Sequence, residues 1–105
     1  MFKRRLFWID LEMTGVKPEK DKILEVAGFI TDPELNQISE DFHKIIGNSK
    51  ETINETSDWV KKELPGLLEE SLQSGYSIGQ CDVDLSNFLK QNVLDREGVI
   101  CGNSV

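Results

Sequence analysis

The fold of this chain is decided by the stretch Leu6-Phe7-Trp8-Ile9-Asp10-Leu11-Glu12-Met13-Thr14-Gly15. Its first four residues are apolar and rich in aromatic and branched side chains, and two carboxylates and a Thr-Gly pair follow them. A short continuous apolar run of this kind is typical of a strand that is covered on both faces. The sequence therefore predicts a buried strand over residues 6–9, with the carboxylates at its carboxyl end.

Asp10 and Glu12 are two positions apart, so on a strand their side chains point to the same face. Two carboxylates held this close repel each other unless a proton or a cation lies between them. Hard oxygen ligands of this type suit Mg²⁺ or Mn²⁺. Because Asp and Glu are common residues, a bare D-x-E pattern is weak. Physical reasoning alone leaves a metal site and a solvated strand end as equal alternatives.

The longer stretch Ile9-Asp10-Leu11-Glu12-Met13-Thr14-Gly15 resembles the first motif of the oligoribonuclease family. These proteins are 3′-to-5′ exoribonucleases of the DEDD exonuclease superfamily. Three further stretches agree with the family in order, and they are residues 21–32, Ser57-Asp58-Trp59 and Cys101-Gly102-Asn103-Ser104-Val105. The resemblance implies an α/β fold, an RNase H-like (DEDD exonuclease) mixed sheet with flanking helices, truncated after about the fourth strand. Residues 1–105 would be the N-terminal part of a single exonuclease domain whose C-terminal part is absent.

The resemblance also implies a reaction, the hydrolysis of short oligoribonucleotides from the 3′ end to nucleoside 5′-monophosphates by two metal ions. Asp10 and Glu12 would be the catalytic metal ligands for Mg²⁺ or Mn²⁺, with Asp10 bridging both ions. The superfamily mechanism needs two further carboxylates and a histidine as general base, which the family carries beyond residue 105. We therefore expect the chain to be inactive alone, and we expect the family's homodimer in the full-length form.

By the same resemblance, the short single-stranded RNA substrate would contact Met13, Thr14, Gly15, Val16, Trp59, Asn103 and Ser104. The family's tryptophan packs on the nucleotide, and such stacking binds any base with about 1–3 kcal/mol. Val16 takes the place of a leucine, so a wedge against a base would be weaker. Residues 61–67 depart from the family pattern because they lack its histidine, which puts a substrate contact there in doubt.

Composition narrows the class of protein. The chain has 105 residues, of which 38% are hydrophobic, and a formal net charge of −7, which suits one small domain with an acidic surface. Such a surface repels long nucleic acid but is compatible with a short oligonucleotide. No apolar run approaches membrane length, so we expect no membrane partner. Cys81 and Cys101, without an export signal, favour reduced thiols and an intracellular, cytoplasmic or mitochondrial, location.

Two alternative functions remain open from the sequence. The chain could be a non-catalytic nucleotide-binding or protein-interaction fragment, which binding without turnover would favour. It could also belong to a neighbouring DEDD exonuclease that acts on DNA or longer RNA, which a substrate-length series would distinguish. A dinucleotide-cofactor enzyme is disfavoured because no G-x-G-x-x-G follows a strand.

Apolar spacing predicts the remaining elements. Strands are expected over residues 23–31 and 99–102, with a less regular strand through residues 38–46 that forms a hairpin after a turn at 32–36. One helix is expected over residues 51–63, ended by Pro65-Gly66, and a second over residues 67–74. A third follows a Ser77 cap, with an apolar stripe at Ile78, Cys81, Leu85, Phe88 and Leu89 that is expected to lie in the core and to leave Cys81 inert.

No catalytic role is predicted for two polar residues on the predicted strands. Glu25 is expected at an edge or bulge near solvent, and a role near the metal site is the less favoured alternative. His43, the only histidine, is expected to be structural.

Overall fold

The computed structural model describes residues 4–92 and 98–102. In chain order the elements are β1 (Arg5–Met13), β2 (Ile23–Thr31), β3 (Phe42–Ile45), α1 (Lys50–Asn54), α2 (Asp58–Glu63), α3 (Pro65–Gln73), α4 (Ile78–Asn92) and β4 (Gly98–Gly102). Over these residues, one sheet has the strand order β3-β2-β1-β4. β2 is antiparallel to both of its neighbours, whereas β4 is parallel to β1. The predicted α/β class, with a mixed sheet and flanking helices, is confirmed.

The first strand is longer than its apolar run predicts. It continues through Asp10 and Glu12 to Met13, because β2 pairs with it from Leu6 to Met13, across a bulge after Glu12. The two carboxylates therefore lie inside the strand and not beyond its end. The predicted burial on both faces is also wrong, since Phe7 is buried whereas Trp8 on the other face is only half-buried.

The helices pack on one face of the sheet, the face of Phe7 and Val26. Against it, α4 and the end of β3 form a cluster around Val26, Phe42, Ile46 and Cys81. Burial raises the pKa of the Cys81 thiol, which supports the expectation of an inert core cysteine. A second cluster joins Leu24 of β2 to Val60 and Leu68, and so fixes α2 and α3 beneath the sheet.

The helix predicted over residues 51–63 is two helices. The first ends at Asn54, and Ser57 caps the second by accepting a hydrogen bond from the backbone N–H of Val60 at 3.3 Å. Thr56, between them, is buried and donates its hydroxyl hydrogen bond to the carbonyl of Thr52. A good N-cap inside an apolar pattern therefore restarts the helix, a local signal that periodicity does not contain.

Pro65 begins α3. The sequence instead predicted that Pro65-Gly66 ends one helix and that the next helix starts at residue 67. Proline has no N–H to lose in the first turn, so it is well tolerated there. The Ser77 cap is confirmed, because its hydroxyl accepts the backbone N–H of Gln80 at 3.0 Å. Ile78 was expected in the core stripe but is 52% exposed, since it lies in the first turn of α4 before the helix meets the sheet.

The third strand is shorter than expected. β3 covers only Phe42–Ile45, and Ile38 is exposed, although Ile46 directly after the strand is buried. β3 joins β2 in the predicted antiparallel arrangement after the turn at residues 32–36. β2 itself lies between two strands, so Glu25 does not occupy a sheet edge, but the register irregularity after the Glu12–Glu25 pair places it beside a bulge, which was the other expected position. In the described part of the chain, no helix is long and apolar enough to cross a membrane.

Candidate active site

The carboxylate pair lies on the sheet face opposite the helices. Asp10 is opposite Ala27 and Glu12 is opposite Glu25 in the antiparallel pairing of β1 with β2, so all three carboxylates share this face. Asp10 is exposed, whereas Glu12 is half-buried. The strand register therefore brings the two predicted ligands together and adds a third acidic side chain beside them.

The charge of Glu12 is poorly compensated. Partial burial, then the charge of Asp10 and then that of Glu25, raises the pKa of the Glu12 carboxyl above its usual value. A divalent cation would remove this repulsion, and carboxylate oxygens are the ligands that Mg²⁺ and Mn²⁺ prefer. The pair therefore fits two ligands of such an ion. Among the described residues, no group of three His, Cys, Asp or Glu side chains is arranged to hold a metal.

The only histidine of the chain lies next to this face. His43 Nε2 is 2.6 Å from Glu25 Oε2, and the two side chains are 54% and 27% exposed. His43 is opposite Ala27 on β3, so this contact crosses diagonally between neighbouring strands. The structural role expected for His43 is consistent with this contact, and Glu25 lies closer to the carboxylate pair than the sequence suggested.

The Thr-Gly turn after β1 is closed by its own hydrogen bonds. The backbone N–H of Thr14 donates to the carbonyl of Lys22 at 2.9 Å, and the Thr14 hydroxyl donates to Asp21 Oδ1 at 2.9 Å. That hydroxyl also accepts the backbone N–H of Lys22 at 3.0 Å, and the Thr14 side chain is buried. The buried Thr14 side chain therefore stabilises the turn, and its hydroxyl is hydrogen-bonded within the loop.

The same turn is tied to α2. The backbone N–H of Ser57 donates to the carbonyl of Thr14 at 2.9 Å, and the Ser57 hydroxyl caps the helix. Trp59, two residues further on, is 65% exposed, although its neighbour Val60 is buried against Leu24. An indole left open on a fixed helix is the arrangement that base stacking requires.

A cavity of about 720 Å³ lies between the end of β1, the following loop and α2. Such a volume is in the range of about 300–1,000 Å³ typical of small-molecule sites. Four of the residues predicted to contact substrate line it together with Glu12, which is predicted to be a metal ligand. The full lining is Leu11, Glu12, Met13, Gly15, Val16, Pro18, Ser57, Trp59 and Val60. The cavity thus joins an apolar, aromatic wall to one carboxylate of the pair.

Two other predicted residues, both in the described part of the chain, lie outside this lining. Asp10 shares a sheet face with Glu12 but does not line the cavity, and Thr14 lies beneath the turn. Asn103 and Ser104 lie outside the described residues, so their predicted substrate contacts stay predictions.

Sequence reasoning missed, as parts of the site, Asp21 and the lining residues Leu11, Pro18, Ser57 and Val60. Leu11 and Pro18 have no chemical signature, because any apolar side chain could fill such positions. Asp21 opens the stretch 21–32 but was given no role at the site, and its carboxylate accepts a hydroxyl and a backbone N–H of the turn, contacts that no motif records. A polar residue capable of an Asx-type turn shortly after a Thr-Gly pair was the available signal.

Comparisons with known proteins show the family of this chain. The sequence model of the RNase T exonuclease family matches residues 7–105. The chain is 41% identical over 104 residues to an oligoribonuclease of Actinobacillus pleuropneumoniae, covering 97% of this chain and 56% of that protein. It is 38% identical over 105 residues to an oligoribonuclease of Haemophilus influenzae, covering 98% of this chain and 58% of that protein. The chain therefore spans somewhat more than half the length of these curated relatives.

Solved structures show the same fold at low sequence identity. An exonuclease I with bound product superposes with a TM-score of 0.77 at 16% identity, covering 98% of this chain and 22% of that one. The nuclease domain of 3′hExo, a DEDDh family member bound to rAMP, superposes with a TM-score of 0.73 at 16% identity, covering 98% and 53%. The RNase H-like fold expected from the first motif is thereby confirmed, as is the resemblance to oligoribonucleases.

Proposed function

Because the chain belongs to the RNase T exonuclease family, we propose that the full-length protein is a metal-dependent 3′-to-5′ exoribonuclease that acts on short RNA. We call this full-length form the gene-encoded protein. One observation carries this proposal. The cavity that exposes Trp59 and Val16 is also lined by Glu12, which lies beside Asp10 on β1. A base-binding wall and a metal-binding carboxylate pair therefore meet at the same end of one strand.

Each group in the chain has a separate task in this reaction. Asp10 and Glu12 would hold the divalent metal, Mg²⁺ or Mn²⁺, which when bound acidifies the attacking water and stabilises the leaving 3′ oxygen. Trp59 stacks on the terminal base, and Val16 bounds it from the loop side of the cavity. A phosphate next to that base is then close to Glu12. Stacking does not discriminate between bases, so RNA of mixed sequence is accepted.

The acidic surface favours short substrates. With a formal charge of −7, the chain lacks the excess of Lys and Arg that long nucleic acid needs for phosphate contacts. A dinucleotide depends less on such contacts, because stacking and metal coordination hold both of its ends. Nucleoside 5′-monophosphates are the expected products. A homodimer remains part of the proposal on the strength of the resemblance, and an intracellular location because Cys81 and Cys101 are free thiols.

Two-metal hydrolysis needs more ligands than Asp10 and Glu12 provide. We therefore expect residues 1–105 alone to bind a short nucleotide without hydrolysing it. The second candidate function, a non-catalytic nucleotide-binding fragment, is favoured by the same facts. The cavity walls come from residues 11–60, while the described residues hold no three-ligand metal group.

A substrate-length series tests the proposal. The gene-encoded protein is incubated with 5′-labelled RNA, from a dinucleotide to long single strands, and with the corresponding DNA, in Mg²⁺ or Mn²⁺. We expect stepwise loss of nucleotides from the 3′ end, fastest for the shortest RNA, and none after chelation. Asp10→Asn should reduce the rate at least about a hundredfold.

The matched control is Asp82→Asn, an exposed aspartate on α4 that should leave the rate unchanged. Hydrolysis that prefers DNA or long RNA would assign the protein to a neighbouring exonuclease. Nucleotide binding without hydrolysis in the gene-encoded protein would establish the non-catalytic alternative.

A further inference from the structure

Val16 forms the loop side of the cavity, yet its side chain is 95% exposed. A side chain this exposed has almost no packing of its own to hold it in place. Its position therefore depends on the backbone of its two neighbours, Gly15 and Lys17. Both neighbours meet one side chain, that of Asp21.

The Asp21 carboxylate uses both oxygens on this turn. Oδ1 accepts the Thr14 hydroxyl at 2.9 Å, and Oδ2 accepts the backbone N–H of Lys17 at 2.8 Å. The backbone N–H of Asp21 also donates to the carbonyl of Lys17 at 2.7 Å. The chain is therefore fixed on both sides of Val16 by one residue.

Gly15 lies directly against the same carboxylate. A Cβ at position 15 would be 2.4 Å from Asp21 Oδ2 and 2.8 Å from Asp21 Cγ, so only a glycine permits this approach. Thr14, which donates to Asp21, also contacts the wall of the cavity that carries Trp59. Its carbonyl accepts the backbone N–H of Ser57, and Ser57 caps the helix that contains Trp59. Asp21 thus connects the two walls of the cavity without touching its interior.

We propose that Asp21 is a positioning residue for nucleotide binding, whose carboxylate holds Val16 opposite Trp59 and so sets the width of the cavity. This inference rests on the proposed function. Hydrogen bonds from the backbone of Lys17 and from Thr14 also lower the pKa of the Asp21 carboxyl, so the ionised form that accepts both bonds persists at neutral pH.

The chain offers a matched control in Asp32. Its carboxylate also closes a turn with two hydrogen bonds, accepting the backbone N–H of Asn36 at 2.9 Å and the Asn36 side-chain amide at 3.1 Å. Asp32 follows the end of β2 that pairs with Leu6, whereas Asp21 precedes the end that pairs with Met13. The two carboxylates therefore do similar structural work at opposite ends of the same strand pair.

The experiment compares Asp21→Asn with Asp32→Asn in the gene-encoded protein. Calorimetry measures the dissociation constant of a nucleoside 5′-monophosphate, a dinucleotide assay gives KM and kcat, and amide hydrogen exchange reports on residues 15–17. Asp21→Asn should raise the dissociation constant and KM about fivefold with kcat within about twofold of the parent, and should accelerate exchange at Lys17. Asp32→Asn should change none of these by more than about twofold.

The outcomes separate the inference from the function on which it rests. Unchanged nucleotide affinity in Asp21→Asn, or an equal loss in Asp32→Asn, overturns the positioning role while leaving the exonuclease proposal intact. Failure of the parent protein to bind or hydrolyse nucleotides overturns both. If Asp21→Asn does not fold, Thr14→Val replaces it with the same expected direction. This variant removes the hydroxyl bond to Asp21 Oδ1 and the bond from the backbone N–H of Lys22, and it leaves the bond from Lys17 to Asp21 Oδ2 in place.

Discussion

At the scale of single residues, the site combines two kinds of side chain that the sequence reveals unequally. In the proposed function, Asp10, Glu12 and Trp59 would act through their own chemistry, so a motif can point to them. Asp21 and Ser57 act on backbone groups of a turn and of a helix start. A carboxylate that accepts a backbone N–H looks, in sequence, like any solvated aspartate. The candidate ligands were therefore predictable, whereas the residues that position the cavity walls became visible only in the structure.

The uncompensated charge of Glu12 gives a prediction about stability. The raised pKa means that the folded state binds the Glu12 proton more tightly than the unfolded state does. In the unfolded state the carboxyl has the ordinary glutamate pKa of about 4.5. This stabilising contribution is complete below the unfolded pKa and is lost as pH rises through the folded pKa. Without metal, Glu12→Gln should therefore raise the melting temperature by about 3 °C at pH 7 and by almost nothing at low pH.

Thermal unfolding in chelator, followed across this pH range, measures that difference. Glu34→Gln, an exposed glutamate in the turn after β2, is the control and should shift the midpoint by less than about 1 °C. Saturating Mn²⁺ should reverse the order of the two melting temperatures. The metal stabilises the parent by binding its folded state, whereas Glu12→Gln lacks one of the metal ligands. A variant less stable than the parent in chelator at pH 7 would mean that Glu12 is compensated by a partner.

At the scale of elements, apolar periodicity located the strands and helices but not their ends. β1 runs past its apolar residues because β2 supplies hydrogen-bond partners as far as Met13. The helix predicted over residues 51–63 is divided at Ser57, where a side-chain cap outweighs the apolar spacing. Both differences affect the site, since one places the carboxylates within the sheet and the other starts the helix that presents Trp59. Tertiary pairing and capping, and not propensity, set these boundaries.

The attachment of the helices to the sheet depends on close contact at Gly47. Its N–H donates to the carbonyl of Tyr76 at 2.7 Å, and a Cβ at this position would lie 2.3 Å from the carbonyl oxygen of Ser74. Gly47→Ala should therefore destabilise the protein by about 2 kcal/mol, because backbone must move to make room. Chemical denaturation of the gene-encoded protein measures this change.

Gly66→Ala is the matched control for that substitution. In the first turn of α3, no heavy atom of the described residues lies within 4 Å of the added Cβ. Alanine should be neutral or stabilising there, by up to about 1 kcal/mol, because it reduces the freedom of the unfolded chain. Equal losses in the two variants would show that Gly47 is not a special point of contact between the sheet and the helix connection.

At the scale of the whole molecule, the sheet has two unequal faces. The helical face carries the apolar clusters around Val26 and Leu24, while the opposite face carries Asp10, Glu12, Glu25 and His43. The cavity opens where β1 ends, so it can receive a base from the side of α2 and a phosphate from the side of the carboxylates. In the proposed function, this division of the molecule, with apolar support on one face and charged groups on the other, would allow one strand to serve both binding and chemistry.

The most direct test is crystallographic. Crystals of the gene-encoded protein are soaked with Mn²⁺ and a nucleoside 5′-monophosphate, and the metal is located by its anomalous scattering. We predict a manganese peak at about 2.2 Å from carboxylate oxygens of Asp10 and Glu12, with the base stacked on Trp59 and bounded by Val16. Manganese bound elsewhere, or a nucleotide that leaves Trp59 uncovered, would contradict the assignment of this end of β1 as the active site.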